Sequence, residues 1–339
     1  MSPINSRRIH QALLILIAFS IPQGSSFQQD STLSRSNQLS PPFPNGPCGG
    51  SVITIPPEDT YGVDVNLASI NIGGDLVMPP RPIHVWLPPG YEGGKDKHPV
   101  LYCHDGQNAI QDSWSWTGAS WRMAGALTRL AERGLIRETL PIVVLLESAE
   151  GDIFPGVRRR HLEYGDINVV FAQAHADFVA KTVKPLIDNQ FRTNAADSYA
   201  IGSSLGGQAS LHLLLRHPTL FRGAACLSPA FGPFILNEVK QNSPPCLKKK
   251  KIYLDIGGDF GDSKVPLLDL MDHFTSKHWW NPGYFWLDTQ LQMGVDAMKD
   301  ALNEIGAEYC YEAIPGGRHN ERAWAQRIDK PLLHLFAGR

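Results

Sequence analysis

The chain has 339 residues, room for one large domain or two small ones, and 42% of them are apolar, enough for a sizeable core. Charged residues are only 19%, which excludes a highly charged, disordered chain. The 31 basic and 33 acidic residues leave a formal charge of −2, which excludes a nucleic-acid binder recognised by charge, and five cysteines are too few for a disulfide scaffold.

The chain opens with Arg7 and Arg8, an apolar run from Ala12 to Ile21, and then Pro22 and Gly24-Ser25-Ser26. A charged start, a short apolar stretch and small residues predict a signal peptide over 1–26, since spanning a bilayer takes about 20 apolar residues. The alternative is a bipartite plastid address. Residues 27–51, rich in Ser, Gln and Pro at their start, read as a disordered linker. No later segment is expected to cross a membrane. Cys48 and Cys246 lie in proline-rich loops and are free to pair or not.

From residue 52 onward strands alternate with helices. Strands are expected over Val52–Ile55, Ile83–Leu87, Val100–Cys103, Ile142–Leu146, Ser198–Gly202, Gly223–Leu227, Ile252–Ile256 and Tyr309–Ile314. Helices are expected over Trp121–Arg133, Val169–Ile187, Leu205–Arg216, Leu291–Ile305 and Glu321–Phe336, the last broken or kinked at Pro331. This alternation predicts an α/β fold, a mainly parallel central sheet with helices on both faces.

Gly202-Ser203-Ser204-Leu205-Gly206 fits G-x-S-x-G between a strand and a helix. The chain must turn sharply there, which exposes the central hydroxyl and leaves no room for Cβ atoms at the flanking positions. Ser204 is therefore the expected nucleophile. A serine hydroxyl needs a base, and among twelve histidines His319 stands out. It follows the last strand in Gly316-Gly317-Arg318-His319, at the sheet edge where Ser204 is expected. The acid belongs after strand Ile252–Ile256, where order along the chain admits Asp259, Asp262 and Asp288; Asp255, inside the strand, reads as structural. The backbone N–H groups of Gln107, in His104-Asp105-Gly106-Gln107-Asn108, and of Leu205 are the expected oxyanion donors. No metal-ligand cluster, phosphate loop or dinucleotide fingerprint is present, so no metal and no cofactor are expected.

Several pieces together resemble the Putative esterase family of α/β-hydrolases, which includes esterase D, enterochelin esterases and feruloyl esterases. They are Val85-Trp86-Leu87-Pro88-Pro89-Gly90-Tyr91, Pro99 to Tyr102 with His104 to Asn108, and Glu163-Tyr164. Next come Lys184 to Asp188 with Phe191-Arg192-Thr193, Gly202 to Gly207 and Arg216-His217-Pro218. Leu227-Ser228-Pro229 and Gly317-Arg318-His319 complete the set. The resemblance runs from about residue 80 to the C-terminal end. It implies an α/β-hydrolase domain over 52–339, with an aromatic-rich insertion at 260–286. It also favours Asp288 as the acid, because Leu287-Asp288 followed by a helix matches the family after that insertion. A Ser–His pair without a strong acid occurs among enterochelin-type relatives.

The expected activity is cleavage of carboxylic esters through an acyl-enzyme, on a small-molecule or carbohydrate ester. Trp279, Trp280 and Trp286 in the insertion, and Trp114 after the oxyanion loop, are candidate substrate contacts, because flat aromatic rings stack on sugars and aryl groups. Trp116 and Trp121 are placed toward the same cleft. The insertion's aromatics also fit a simple hydrophobic lid. Rival readings are an acyltransferase with the same triad, a thioesterase, and a non-catalytic protein that binds carbohydrate or aryl ligands. No nucleic-acid partner is expected, and the oligomeric state is open.

Overall fold

The computed structural model describes residues 47–57, 81–148, 152–154, 157–243, 245–266 and 287–338. The expected signal peptide, most of the linker and most of the aromatic insertion lie outside them. The linker ends earlier than expected, because Pro47–Gly49 form a 3-10 turn that leads into strand β1, Ser51–Ile55.

Eight strands form one sheet in the order β1-β2-β4-β3-β7-β8-β9-β10. They are β1, β2 (Ile83–Leu87), β3 (His98–His104), β4 (Ile142–Leu146), β7 (Thr193–Ser203), β8 (Gly223–Leu227), β9 (Lys251–Ile256) and β10 (Cys310–Ala313). β2 pairs antiparallel with both β1 and β4, and the pairings from β4 through β3, β7, β8 and β9 to β10 are parallel. A short hairpin, β5 (Asp152–Phe154) and β6 (Val157–Arg158), stands apart.

β3 and β4 are buried along their whole length, as strands covered on both faces must be. The period of two sends alternate residues to opposite cores. Val100, Tyr102, Val144 and Leu254 join one, and Leu101, Cys103, Val143 and Tyr253 the other. Helices α1 (Met123–Glu132) and α9 (Asp329–Phe336) cover the second face. Helices α3 (Val169–Phe178), α5 (Leu205–Arg216), α6 (Pro233–Asn242) and α7 (Leu287–Glu304) cover the first. The short helices α2 (Arg159–Tyr164), α4 (Lys184–Gln190) and α8 (Glu321–Ala325) complete the set.

Several elements depart from expectation. The helix expected over Val169–Ile187 runs on to Gln190 but contains a π turn at Val179–Val183. The C-terminal helix breaks after Ala325, not at Pro331. Pro331 sits in the first turn of α9, where a missing N–H leaves no intrahelical bond unmade. α2 and α6 were not foreseen.

Candidate active site

Ser204 stands where β7 passes into α5, with φ 56 and ψ −125. A non-glycine residue in this region carries about 1–3 kcal/mol of strain, and its surroundings must impose it. They do so through four backbone bonds. The Ser204 N–H donates to Leu227 O (2.9 Å), and its carbonyl accepts from Gly207, Gln208 and Ala230. The flanking glycines are steric necessities. A Cβ on Gly202 would sit 2.3 Å from Gly206 O, and one on Gly206 would sit 2.8 Å from Asp105 Oδ2. Leu205 is the first residue of α5, so its N–H belongs to the group that has no acceptor within the helix.

β3 lies beside β7 and parallel to it, so the segment after β3 reaches the same edge. There Asp105 (φ 54) opens a 3-10 turn, Gly106–Asn108. Arg160 grips the Asp105 carboxylate with two nitrogens, at 2.7 and 2.6 Å. The Gln107 side chain is tied to Ser148, donating from Nε2 to Oγ at 3.0 Å. The turn that carries the expected oxyanion donor is thus pinned from two sides and touches the helix that starts at Leu205.

His319 follows β10 and is fully buried. Its Nδ1 lies 2.5 Å from Oδ1 of Asp288, in the first turn of α7 and also fully buried. A carboxylate only accepts, so Nδ1 carries the proton and Nε2 faces away from Asp288. The other Asp288 oxygen accepts from Ser228 Oγ and from the Gly257 N–H, both at 2.8 Å. Burial alone would raise the Asp288 carboxyl; His319, Arg327 and Ser228 outweigh it and hold the group below its ordinary value. The Trp324 indole stands edge-on to the His319 ring at 5.0 Å. Of the rival acids, Asp259 is exposed and accepts from the Val265 N–H, and Asp262 is exposed.

The aromatic candidates divide. Trp114 is half-buried, its ring 5.3 Å from that of His84. Trp121 is fully buried edge-on against Trp324, so it cannot face a cleft as expected. Trp116 donates its indole N–H to Glu321 at 2.8 Å and carries the Arg160 guanidinium over its ring. Trp279, Trp280 and Trp286 lie outside the described residues. Cys48 and Cys246 are both free and exposed. Among the described residues no group of His, Cys, Asp or Glu has an arrangement that could hold a metal ion, and no helix is long and apolar enough to cross a membrane.

Sequence reasoning missed Ser228 and Arg327 as partners of Asp288, Arg160 as the clamp on Asp105, and Glu321. Ser228 lies in a stretch that carries the family resemblance, which was its one local signal.

No curated protein matches the sequence. A ferulic acid esterase superposes with a TM-score of 0.52 at 16% identity, over 85% of this chain and 99% of that one. An IroE-like serine hydrolase from Shewanella oneidensis gives 0.51 at 20% identity, over 76% of this chain and 75% of that one. The enterobactin esterase from Shigella flexneri gives 0.50 at 16%, over 76% of this chain and 56% of that longer one. At these identities the likeness is one of fold. The family model for Putative esterase matches residues 78–335, most of the chain. The chain therefore belongs to the Putative esterase family and is a carboxylic-ester hydrolase of the α/β-hydrolase fold.

Proposed function

We propose that Ser204, His319 and Asp288 form the catalytic triad of this esterase, with the backbone N–H groups of Gln107 and Leu205 as the oxyanion hole. The observation that carries the assignment is the buried His319–Asp288 contact at 2.5 Å, on the sheet edge where Ser204 is held at positive φ. In this reading Ser204 Oγ attacks the ester carbonyl while His319 Nε2 takes its proton. The tetrahedral oxyanion collapses, His319 returns the proton to the leaving alcohol, and Ser204 keeps the acyl group. Water, deprotonated by His319, then frees the acid.

The substrate we propose is an aryl or carbohydrate ester, with Trp114, Trp279, Trp280 and Trp286 as its contacts. Two structural neighbours are named for ferulic acid and enterobactin, which supports an aromatic acyl group. Transfer of the acyl group to an alcohol acceptor uses the same triad and is separated by adding acceptor. Residues 1–26 we read as a secretory signal. Amino-terminal sequencing of exported protein tests this, and a start at residue 1 would refute it.

The test of the triad is intact-protein mass after treatment with a fluorophosphonate. One adduct is expected on the wild type and none on Ser204→Ala or His319→Ala, with ester turnover by Ser204→Ala falling on the order of 10⁶-fold. An adduct or turnover retained by folded Ser204→Ala refutes the assignment.

A further inference from the structure

Behind the Asp288–His319 contact lies a second buried pair of charges. Asp255, near the end of β9, is fully buried, and Arg327, between α8 and α9, is 4% exposed. A single Arg327 nitrogen, Nη2, lies 2.5 Å from Ser228 Oγ, 3.1 Å from Asp255 Oδ1 and 3.9 Å from Asp288 Oδ2. Ser228 joins the two carboxylates. Its N–H donates to Asp255 Oδ1 at 2.9 Å and its hydroxyl to Asp288 Oδ2 at 2.8 Å. The Trp324 indole N–H donates to the same hydroxyl oxygen at 3.3 Å, which leaves the Ser228 proton for Asp288. The Tyr253 hydroxyl lies 3.2 Å from Asp255 Oδ2 and donates to it.

Burial, with the Asp288 charge beside it, raises the Asp255 carboxyl, and Arg327, the Ser228 N–H and the Tyr253 hydroxyl oppose the rise; all three are donors, the surroundings of an ionised carboxylate, and arginine does not release its proton. A structural ion pair needs one acid for one base. Here two acids share one guanidinium. With His319 neutral the cluster carries one net negative charge. With His319 protonated, as after it takes the serine proton, the cluster is neutral. A net charge in a buried site is costly, and the reaction removes it.

We propose that Asp255 and Arg327 are positioning residues that act through Ser228 and Asp288: together they fix the net charge facing His319 at −1, so that protonation of His319 during acyl transfer neutralises the buried cluster. The inference rests on the triad reading above. Other titratable and charged groups nearby are Tyr253 on β9, Glu312 on β10, His334 on α9, and Arg318 and Glu321 beside His319 in sequence. Tyr253 is pushed up by burial and stays neutral. All five are common to every variant below.

The test is the acid limb of kcat/KM against pH for hydrolysis of p-nitrophenyl acetate, because that limb reports protonation of the base in the free enzyme. Asp255→Asn removes a negative charge and should move the limb down by on the order of one pH unit. Arg327→Met removes a positive charge and should move it up by a similar amount. Asp255→Asn with Arg327→Met restores the count of −1 and should return the limb toward the wild type. Arg327→Lys, a point charge able to serve the same oxygens through one nitrogen, should leave it in place. Shifts of both single variants in one direction, or no shift in folded variants, would overturn the inference. If Arg327→Met does not fold, Asp255→Asn against Arg327→Lys still decides. Fluorophosphonate labelling separates the two readings: a wild type unlabelled at Ser204 defeats the triad itself, whereas normal labelling with unmoved limbs defeats only this inference.

Discussion

Glu321 accepts the Trp116 indole N–H with one carboxyl oxygen, and the group is buried. Burial, aided by the Asp105 charge and opposed in part by Trp116, Thr117 and the residue's own backbone N–H, pushes the group up to about 7 from its ordinary value of 4.5. The folded protein therefore holds a proton that the unfolded chain has released between those two values. The contribution to stability is whole below pH 4.5 and is lost as pH rises through 7, to the extent of about 3 kcal/mol. Glu321→Gln keeps an acceptor for Trp116 and has nothing to titrate. Denaturant unfolding at pH 5 and pH 8 should show the variant gaining about that much on the wild type at the higher pH. Equal differences at both would refute it. The reading of single residues from sequence was uneven for a physical reason. Ser204 is announced by Gly202 and Gly206, because a steric demand at close range leaves a local trace. Ser228, Asp255 and Arg327 act across separations of 27 to 99 residues, and nothing in their immediate neighbours reports that.

At the scale of elements, Asp288, in the first turn of α7, and His319, after β10, come together beside two loops that meet, one after β9 and one after β10. Gly258 and Gly317 exchange backbone bonds through the Gly258 N–H to Gly317 O and the Gly316 N–H to Gly258 O, both 2.8 Å. Gly257 lies where the loops meet. A Cβ there would sit 2.2 Å from Asp288 Oδ2 and 2.6 Å from Gly317 O. Gly257→Ala should therefore displace Asp288 from His319 and lower kcat by on the order of 100-fold while leaving Ser204 in its turn. Steady-state kinetics beside circular dichroism checks this, and unchanged kcat in a folded variant would count against the loop contact as a constraint. The same contact explains why the acid stayed open among Asp259, Asp262 and Asp288. Which of them meets His319 depends on how the chain returns after β9, and order along the sequence does not record that path. Strands were the more legible elements, since continuous apolar runs such as Ile142–Leu146 have few other uses. The π turn was not, because the buried residues before and within it are mostly apolar, so a one-residue slip in the stripe is hidden.

At the scale of the whole molecule, four histidines are buried in and around the sheet: His104 at the end of β3, His161 on α2, His175 on α3 and His212 on α5. Burial lowers all four, His161 and His212 to about 4 from an ordinary 6.5. Unfolded, they bind protons below pH 6.5; folded, they do so only at lower pH. Their contribution is whole above pH 6.5 and is lost as pH falls through 4, on the order of 3 kcal/mol each for His161 and His212. Four histidines outweigh the opposite slope of Glu321 in the shared window, so stability should fall steeply from pH 6.5 to 4.5. Urea unfolding across that range measures it, and a flat profile would refute it. The mainly parallel sheet was legible from the alternation of elements. Of the candidate site, Ser204 and His319 could be singled out from local sequence, and the structure places both beyond the strand ends of that sheet.

The order in which these parts are made has its own consequence. The bonds that hold the turn around Ser204 are complete once the chain has passed β8 and Ala230, but on the proposed assignment the base lies beyond β10, about ninety residues later. A ribosome emits those residues over several seconds at about 5–20 per second. Throughout that interval the nascent chain carries its nucleophile without the means to activate it, and esters in its surroundings meet an inert surface. Activity begins only when the last strand joins the sheet and brings His319 to Asp288.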